Sequence, residues 1–118
     1  MTKVQLHHVQ INVPDVPAAV EFYLALGTRA RSDMPDVDVE VTWLDAGDGQ
    51  IHLVKGEVPA DFGQHFALEV DDIDSVVSRL RSSGVQVEDP VSLSDWLGRQ
   101  TSFQDPWGNR IELRGRPK

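Results

Sequence analysis

Shifted by 57 positions, the sequence lies upon itself: His8 falls on His65, Val13 on Val70, Asp15 on Asp72, Val20 on Val77 and Gly27 on Gly84, with no gap between them. A chain that repeats in this way is built from two copies of one supersecondary module, which restricts its folds far more than composition does. The end of each copy repeats too. Ile51-His52-Leu53 answers Ile111-Glu112-Leu113 at a shift of 60, and a small insertion in the second half supplies the extra three residues.

The elements of each copy follow from periodicity and punctuation. Leu6 to Val13 alternates His8, Gln10 and Asn12 with Val9, Ile11 and Val13, the pattern of a strand with one covered face. Pro14 closes it. Asp15 is a suitable N-cap for a helix whose Val16, Ala19, Val20 and Tyr23 keep i, i+3, i+4, i+7 spacing and which Gly27 stops. Residues 28–36 read as a connecting loop with room for a short strand, and Val37, Val39, Val41 and Trp43 as an alternating strand. Gly47-Asp48-Gly49 is a hairpin turn into a strand from Gln50 to Val54. Lys55 to Gln64 is linker-like.

The pattern then starts again at His65. Asp72 caps a second helix that buries Ile73, Val76, Val77 and Leu80 and ends at Ser82-Ser83-Gly84. Val85 to Val87 predicts a short strand, Glu88 to Gly98 a loop holding Trp96, and Gln100 to Phe103 and Arg110 to Leu113 the last two strands. The expected fold is α+β: a single domain over 1–118 made of two βαβββ modules, 1–55 and 65–114. Each module is too thin to bury its own sheet face, so the pair should form a cupped mixed sheet with the helices on its outer face.

The turn Asp105-Pro106-Trp107-Gly108-Asn109 leads into Arg110-Ile111-Glu112-Leu113, where Glu112 takes the polar parity and Ile111 and Leu113 the apolar one. His8, His52 and His65 stand on their strands in the same way. Two of the four come from equivalent first strands and two from equivalent last strands, so repetition of the module is what would bring them together. Three imidazoles and a carboxylate suit one borderline divalent transition metal ion, Fe, Mn, Co, Ni or Zn, whereas calcium and magnesium want more oxygen. His52 is either a ligand or a neighbouring acid or base. His7, on the opposite parity from His8, reads as a surface or helix-packed residue.

Composition sets the bounds. With 118 residues, 40% of them hydrophobic and 25% charged, the chain has the makings of an ordinary compact domain. The absence of cysteine excludes disulfides, thiolate metal clusters and a cysteine nucleophile. A net charge of −8 with scattered basic residues argues against nucleic acid as a partner. The opening Met1-Thr2-Lys3-Val4-Gln5-Leu6 carries neither a signal peptide nor a membrane span, so a cytoplasmic location is the expectation.

The stretches His8 to Val13, Glu21 to Gly27, His65 to Asp72 and Asp105 to Leu113 resemble the vicinal oxygen chelate superfamily. That group includes glyoxalase I, extradiol dioxygenases, methylmalonyl-CoA epimerase, fosfomycin resistance enzymes and the bleomycin resistance protein. The resemblance spans nearly the whole chain. It implies metal-binding histidines at His8 and His65 and a terminal carboxylate ligand at Glu112.

The remaining family position, a glutamate in glyoxalase I, is His52 here. Extradiol dioxygenases place a proton-handling His near that strand, but they also use a Tyr where this chain offers Ser102. Fosfomycin enzymes generally carry Thr two residues after the first His, where Gln10 stands, and a basic, potassium-binding loop where this chain is acidic, so they are set aside. What the superfamily shares is chelation of two neighbouring substrate oxygens by a metal acting as Lewis acid.

In such an enzyme, glyoxalase-like lyase or isomerase or extradiol-type dioxygenase, Glu112 and His52 are the candidates for moving protons. Gln10, Trp43, Glu69, Trp96 and Phe103 are candidates for lining a small-molecule substrate pocket. A homodimer is expected, since members of this size often complete their sites with a second chain. The rival expectation is a non-enzymatic antibiotic-sequestering protein of the bleomycin-resistance type, which would hold a cationic drug between acidic and aromatic walls.

Overall fold

In the computed structural model, residues 3–34 and 37–116 are described. They divide into two compact units, 1–58 and 59–118. The first holds β1 (His8–Val13), α1 (Val16–Ala25), β2 (Arg29–Ala30), β3 (Val41–Ala46) and β4 (Gly49–Lys55). The second holds β5 (His65–Val70), α2 (Ile73–Ser82), β6 (Val91–Ser94), β7 (Gly98–Gln104) and β8 (Arg110–Gly115). Each unit is therefore a βαβββ module, as the repeat predicts. Each has its own four-stranded mixed sheet, ordered β1-β4-β3-β2 and β5-β8-β7-β6. The β1/β4 and β5/β8 pairs are parallel and the other pairs antiparallel.

The repeat extends to the capping chemistry. The Asp15 carboxylate accepts from the Ala18 amide at 3.1 Å, and its counterpart Asp72 accepts from the Ser75 amide at 3.1 Å. Each satisfies one of the amide groups that a helix N-terminus leaves without an internal partner. At the other end, Gly27 and Gly84 take φ of +113° and +93°, the left-handed step that ends a helix and that a side chain disfavours.

Alternation separates the two faces of each sheet. In the first module Ile51 and Leu53 are buried, together with Val16, Ala19 and Tyr23 of α1. In the second, Ile111 and Leu113 are buried with Ile73, Val76, Val77 and Leu80 of α2. The helix comes so near β8 that a Cβ on Gly115 would stand 3.0 Å from the Ile73 Cγ2. With the apolar parity taken by the helices, the opposite parity presents Gln50 and His52 in β4, and Arg110 and Glu112 in β8. Among the described residues, no helix is long and apolar enough to cross a membrane.

Three expectations are corrected. The strand predicted from Val37 begins only at Val41, and Val37 and Val39 are exposed. The two-residue turn at Gly47 and Asp48 pins Ala46 opposite Gly49 and Val41 opposite Val54, so residues 37–39 have run past the end of their partner. Val85 to Val87 is not a strand. Its Val87 carbonyl instead accepts from the Arg81 guanidinium at 2.6 and 3.0 Å. The segment expected to be loop contains β6, an edge strand whose Val91-Ser92-Leu93-Ser94 sequence is too short and polar to announce itself.

Candidate functional site

In the first module the candidate residues gather around His52. Across β4, it lies opposite Gln10 of β1 on one side and Trp43 of β3 on the other. Its ring stacks on His8, with centroids 3.9 Å apart and planes 11° from parallel, and on Trp43 at 4.4 Å and 5°. Because β4 lies between β1 and β3, His8 and Trp43 cover opposite faces of the imidazole. His52 is thus 5% exposed although it stands on the parity that no helix covers.

That burial lowers its pKa from the ordinary histidine value, with neighbouring His8, His7 and Arg31 acting in the same direction, because a charged ring is costly where water is excluded. Its Nε2 lies 2.8 Å from the Gln50 amide oxygen. With that oxygen accepting, Nε2 carries the proton and Nδ1 is left as the basic nitrogen. His7 is exposed, and its Nδ1 sits 2.8 Å from the Nδ1 of His8.

In the second module the equivalent place, between β5 and β7, belongs to Glu112, which faces Ala67 and Ser102. Neither neighbour has a ring, so Glu112 has no counterpart of the Trp43 stack, and its side chain is 21% exposed. Its Oε1 lies 3.7 Å from the His65 Nε2. The other ring nitrogen of His65, Nδ1, lies 2.8 Å from the Gly63 carbonyl oxygen. A carbonyl only accepts, so Nδ1 bears a proton and, in the neutral ring, Nε2 directs a lone pair toward Glu112. Beside Glu112, a concavity of about 1340 Å³ runs along β7 toward the loop after α2, with Arg110, Ser102 and Gln104 also on its wall.

The remaining candidates are dispersed. Glu69 accepts from Arg116 at 2.8 Å. Trp96, in the turn after β6, is 73% exposed. Phe103 pairs with Ile111 on the helix-facing parity and is 3% exposed, and it also borders the concavity beside Glu112. Gln50 and Gly63 hold the rings of His52 and His65, and Asp61 accepts from the Gly63 amide at 2.8 Å, yet none of the three carries a motif. Gln50 lies two residues from His52 on the same strand face, a spacing visible in the sequence. Asp61 and Gly63 stand in a stretch read as linker, where nothing local marks them.

The donor set admits a direct test of fit for a divalent ion. Two donors of one transition metal, each about 2.0–2.2 Å from it, lie no more than about 4.3 Å apart, and the 3.7 Å between His65 and Glu112 is within that limit. A ligating imidazole also normally donates its other N–H to a carbonyl or carboxylate, as His65 does to Gly63. This pair fits. His8 and His52 as stacked do not fit as two donors to one ion, because in-plane lone pairs on nearly parallel rings do not converge. Among the described residues, no group of three or more His, Cys, Asp or Glu side chains is disposed to hold an ion.

Two βαβββ modules, each with a polar sheet face opposite its helix, define the class of protein to which this chain belongs. The sequence matches the model of the Glyoxalase/Bleomycin resistance protein/Dioxygenase superfamily over residues 5–113. The chain is a member of that superfamily.

Solved structures agree on the fold. An antibiotic binding protein, TnmS3, from Streptomyces sp. CB03234 is 29% identical with a TM-score of 0.77, the match covering 98% of both chains. A glyoxalase family protein from Bacillus anthracis is 23% identical at a TM-score of 0.77, again over 98% of both chains. The fosfomycin resistance protein FosX from Listeria monocytogenes is 16% identical at 0.79, over 97% of this chain and 94% of that one. No match was found among curated proteins.

Proposed function

We propose that the chain is a small divalent-metal-dependent enzyme of this superfamily, acting on a small molecule that presents two neighbouring oxygens. Its activity would be that of a glyoxalase-like lyase or isomerase, or of an extradiol-type dioxygenase. The observation that carries this reading is the His65–Glu112 pair: Nδ1–H of His65 held by the Gly63 carbonyl, with Nε2 aimed at a carboxylate 3.7 Å away. Two lone pairs facing one another across that gap repel unless a proton or a cation lies between them.

His65 and Glu112 would hold the ion, with His8 as the further donor that the superfamily pattern assigns. The bound metal, Fe, Mn, Co, Ni or Zn, would supply Lewis acidity toward the substrate oxygens. His52 suits a different task. Burial favours its neutral form, Gln50 fixes its tautomer, and Nδ1 is then able to take a proton from a substrate carbon or hydroxyl. A homodimer acting in the cytoplasm completes the proposal.

The test is elemental analysis of protein purified without chelator, followed by His65→Ala and Glu112→Gln. Near-stoichiometric transition metal that both substitutions remove supports the enzyme. Full-length folded protein that takes up no divalent ion rejects it.

A second reading has its own observation. The His8/His52/Trp43 stack is a ready-made ring platform, and flat aromatic ligands favour such surfaces. Together with the likeness to an antibiotic binding protein, this supports sequestration of a planar cationic compound. Tight binding of such a compound by metal-stripped protein, without turnover, would favour this reading over the enzyme.

A further inference from the structure

The loop that precedes β5 is organised by one carboxylate. Asp61 Oδ1 accepts the Gly63 amide at 2.8 Å, and Oδ2 accepts both the Gln104 side-chain amide and the Arg110 Nε at 2.8 Å. Its side chain is only 16% exposed, and the bonds from Gln104 and from the Gly63 amide hold the carboxyl below its ordinary range. A carboxylate with three donors and little water is a fixed point rather than a surface charge.

The consequences reach both members of the metal-competent pair. Gly63 is in the left-handed region, with φ of +100°. Its amide is fixed by Asp61 while its carbonyl receives the proton on His65 Nδ1. On the other side, Arg110 stands two residues before Glu112 on the same strand face, where a guanidinium would otherwise compete for the Glu112 carboxylate. Asp61 takes its Nε, and Ser102, opposite Glu112, takes its Nη1 at 3.1 Å. Arg110 is thereby tied away from Glu112, whose ion-pairing neighbour among the described residues is His65.

We propose that Asp61 is a positioning residue for the His65–Glu112 pair: by holding the backbone of Gly63 it fixes the Nδ1–H tautomer of His65, and through Arg110 it keeps Glu112 unpaired by arginine. In this role Asp61 acts through Gly63 and Arg110. The proposal takes its functional meaning from the metal reading above, while its geometric claim stands apart from that reading.

The test uses the full chain labelled with ¹⁵N, with the His65 imidazole assigned by His65→Gln. In the parent protein, the ring nitrogen shifts should report a single Nδ1–H tautomer at neutral pH. Asp61→Ala should collapse them toward the average of an exchanging ring and weaken Co²⁺ binding, measured by calorimetry, by about tenfold. Asp61→Asn, which keeps an oxygen for the Gly63 amide, should restore the single-tautomer pattern.

Unchanged His65 shifts in a folded Asp61→Ala protein would overturn the proposal, whatever happens to the melting temperature. Should that variant fail to fold, Gln104→Ala removes one donor from Asp61 and should move the same shifts less far; no movement overturns the proposal equally. If His65→Ala and Glu112→Gln leave Co²⁺ affinity untouched while Asp61→Ala still scrambles the tautomer, the metal reading falls and the positioning role stands.

Discussion

The imidazole of His52 lies flat against that of His8, with centroids 3.9 Å apart and planes 11° from parallel, and Trp43 closes the opposite face. A ring held between two others exchanges water for π-faces, and protonation then becomes the costly event.

That cost has a sign in stability. The folded-state pKa of His52 lies below its ordinary value of 6.5, first through burial and then through the nearby histidines and Arg31. The unfolded chain therefore binds the proton more readily, so the contribution of His52 is fully present above pH 6.5 and is lost as pH falls toward the folded-state pKa. Urea midpoints measured between pH 7.5 and 5 should fall on acidification. His52→Phe, which keeps a ring and removes the titration, should flatten the curve; an unaltered slope would exclude His52 as its source.

Trp43 is half of the enclosure. Trp43→Ala should destabilise the protein by about 2 kcal/mol, from lost apolar burial and ring stacking. It should also raise the His52 pKa toward 6.5 by admitting water, as followed in an NMR titration of the ring. Trp43→Phe should do less of both.

His52 should be separable from the metal. His52→Asn is expected to leave metal stoichiometry intact while lowering turnover by about 10²-fold or more, the usual weight of a general acid or base. Loss of the metal in this variant would make His52 a ligand instead.

The turn before β8 rests on Asp105, which is 3% exposed and accepts from the Trp107 amide at 3.0 Å and from the Asn109 amide and side chain at 2.9 and 3.0 Å. Asp105→Ala strands those donors and should cost about 3 kcal/mol, seen as a fall in Tm of about 10 °C. Since the turn delivers Glu112 to its strand position, metal affinity should fall with it.

Gly115 is needed for space. A methyl group there would meet Ile73 Cγ2 at 3.0 Å and Cβ at 3.2 Å, so Gly115→Ala should cost about 1–3 kcal/mol. In an Ile73→Ala background the same change should cost clearly less, and strict additivity in the double-mutant cycle would refute the steric account.

What was written in the sequence is what short-range physics governs. Alternation placed His52 and Glu112 on the parity opposite Ile51 and Ile111, since side chains on a strand change face at every residue. Asp15 and Asp72 announced the helix starts, Gly27 and Gly84 their ends, and the shift of 57 residues announced the duplication. The linear order left β6 unannounced and promised a strand from Val37, because a strand exists only where a neighbour offers hydrogen bonds.

The character of each candidate site was decided in three dimensions. His52 and Glu112 hold equivalent places in their modules, yet one is 5% exposed and the side chain of the other 21%. The difference lies on the antiparallel neighbouring strand: Trp43 of β3 closes the face of His52 that His8 leaves free, whereas Ser102 of β7 stands opposite Glu112 and His65 meets its carboxylate without stacking. Asp61 lies 43 residues from Gln104 and 49 from Arg110. No local pattern encodes contacts over that separation, because they arise only when strand order brings the ends of β7 and β8 up to the loop before β5.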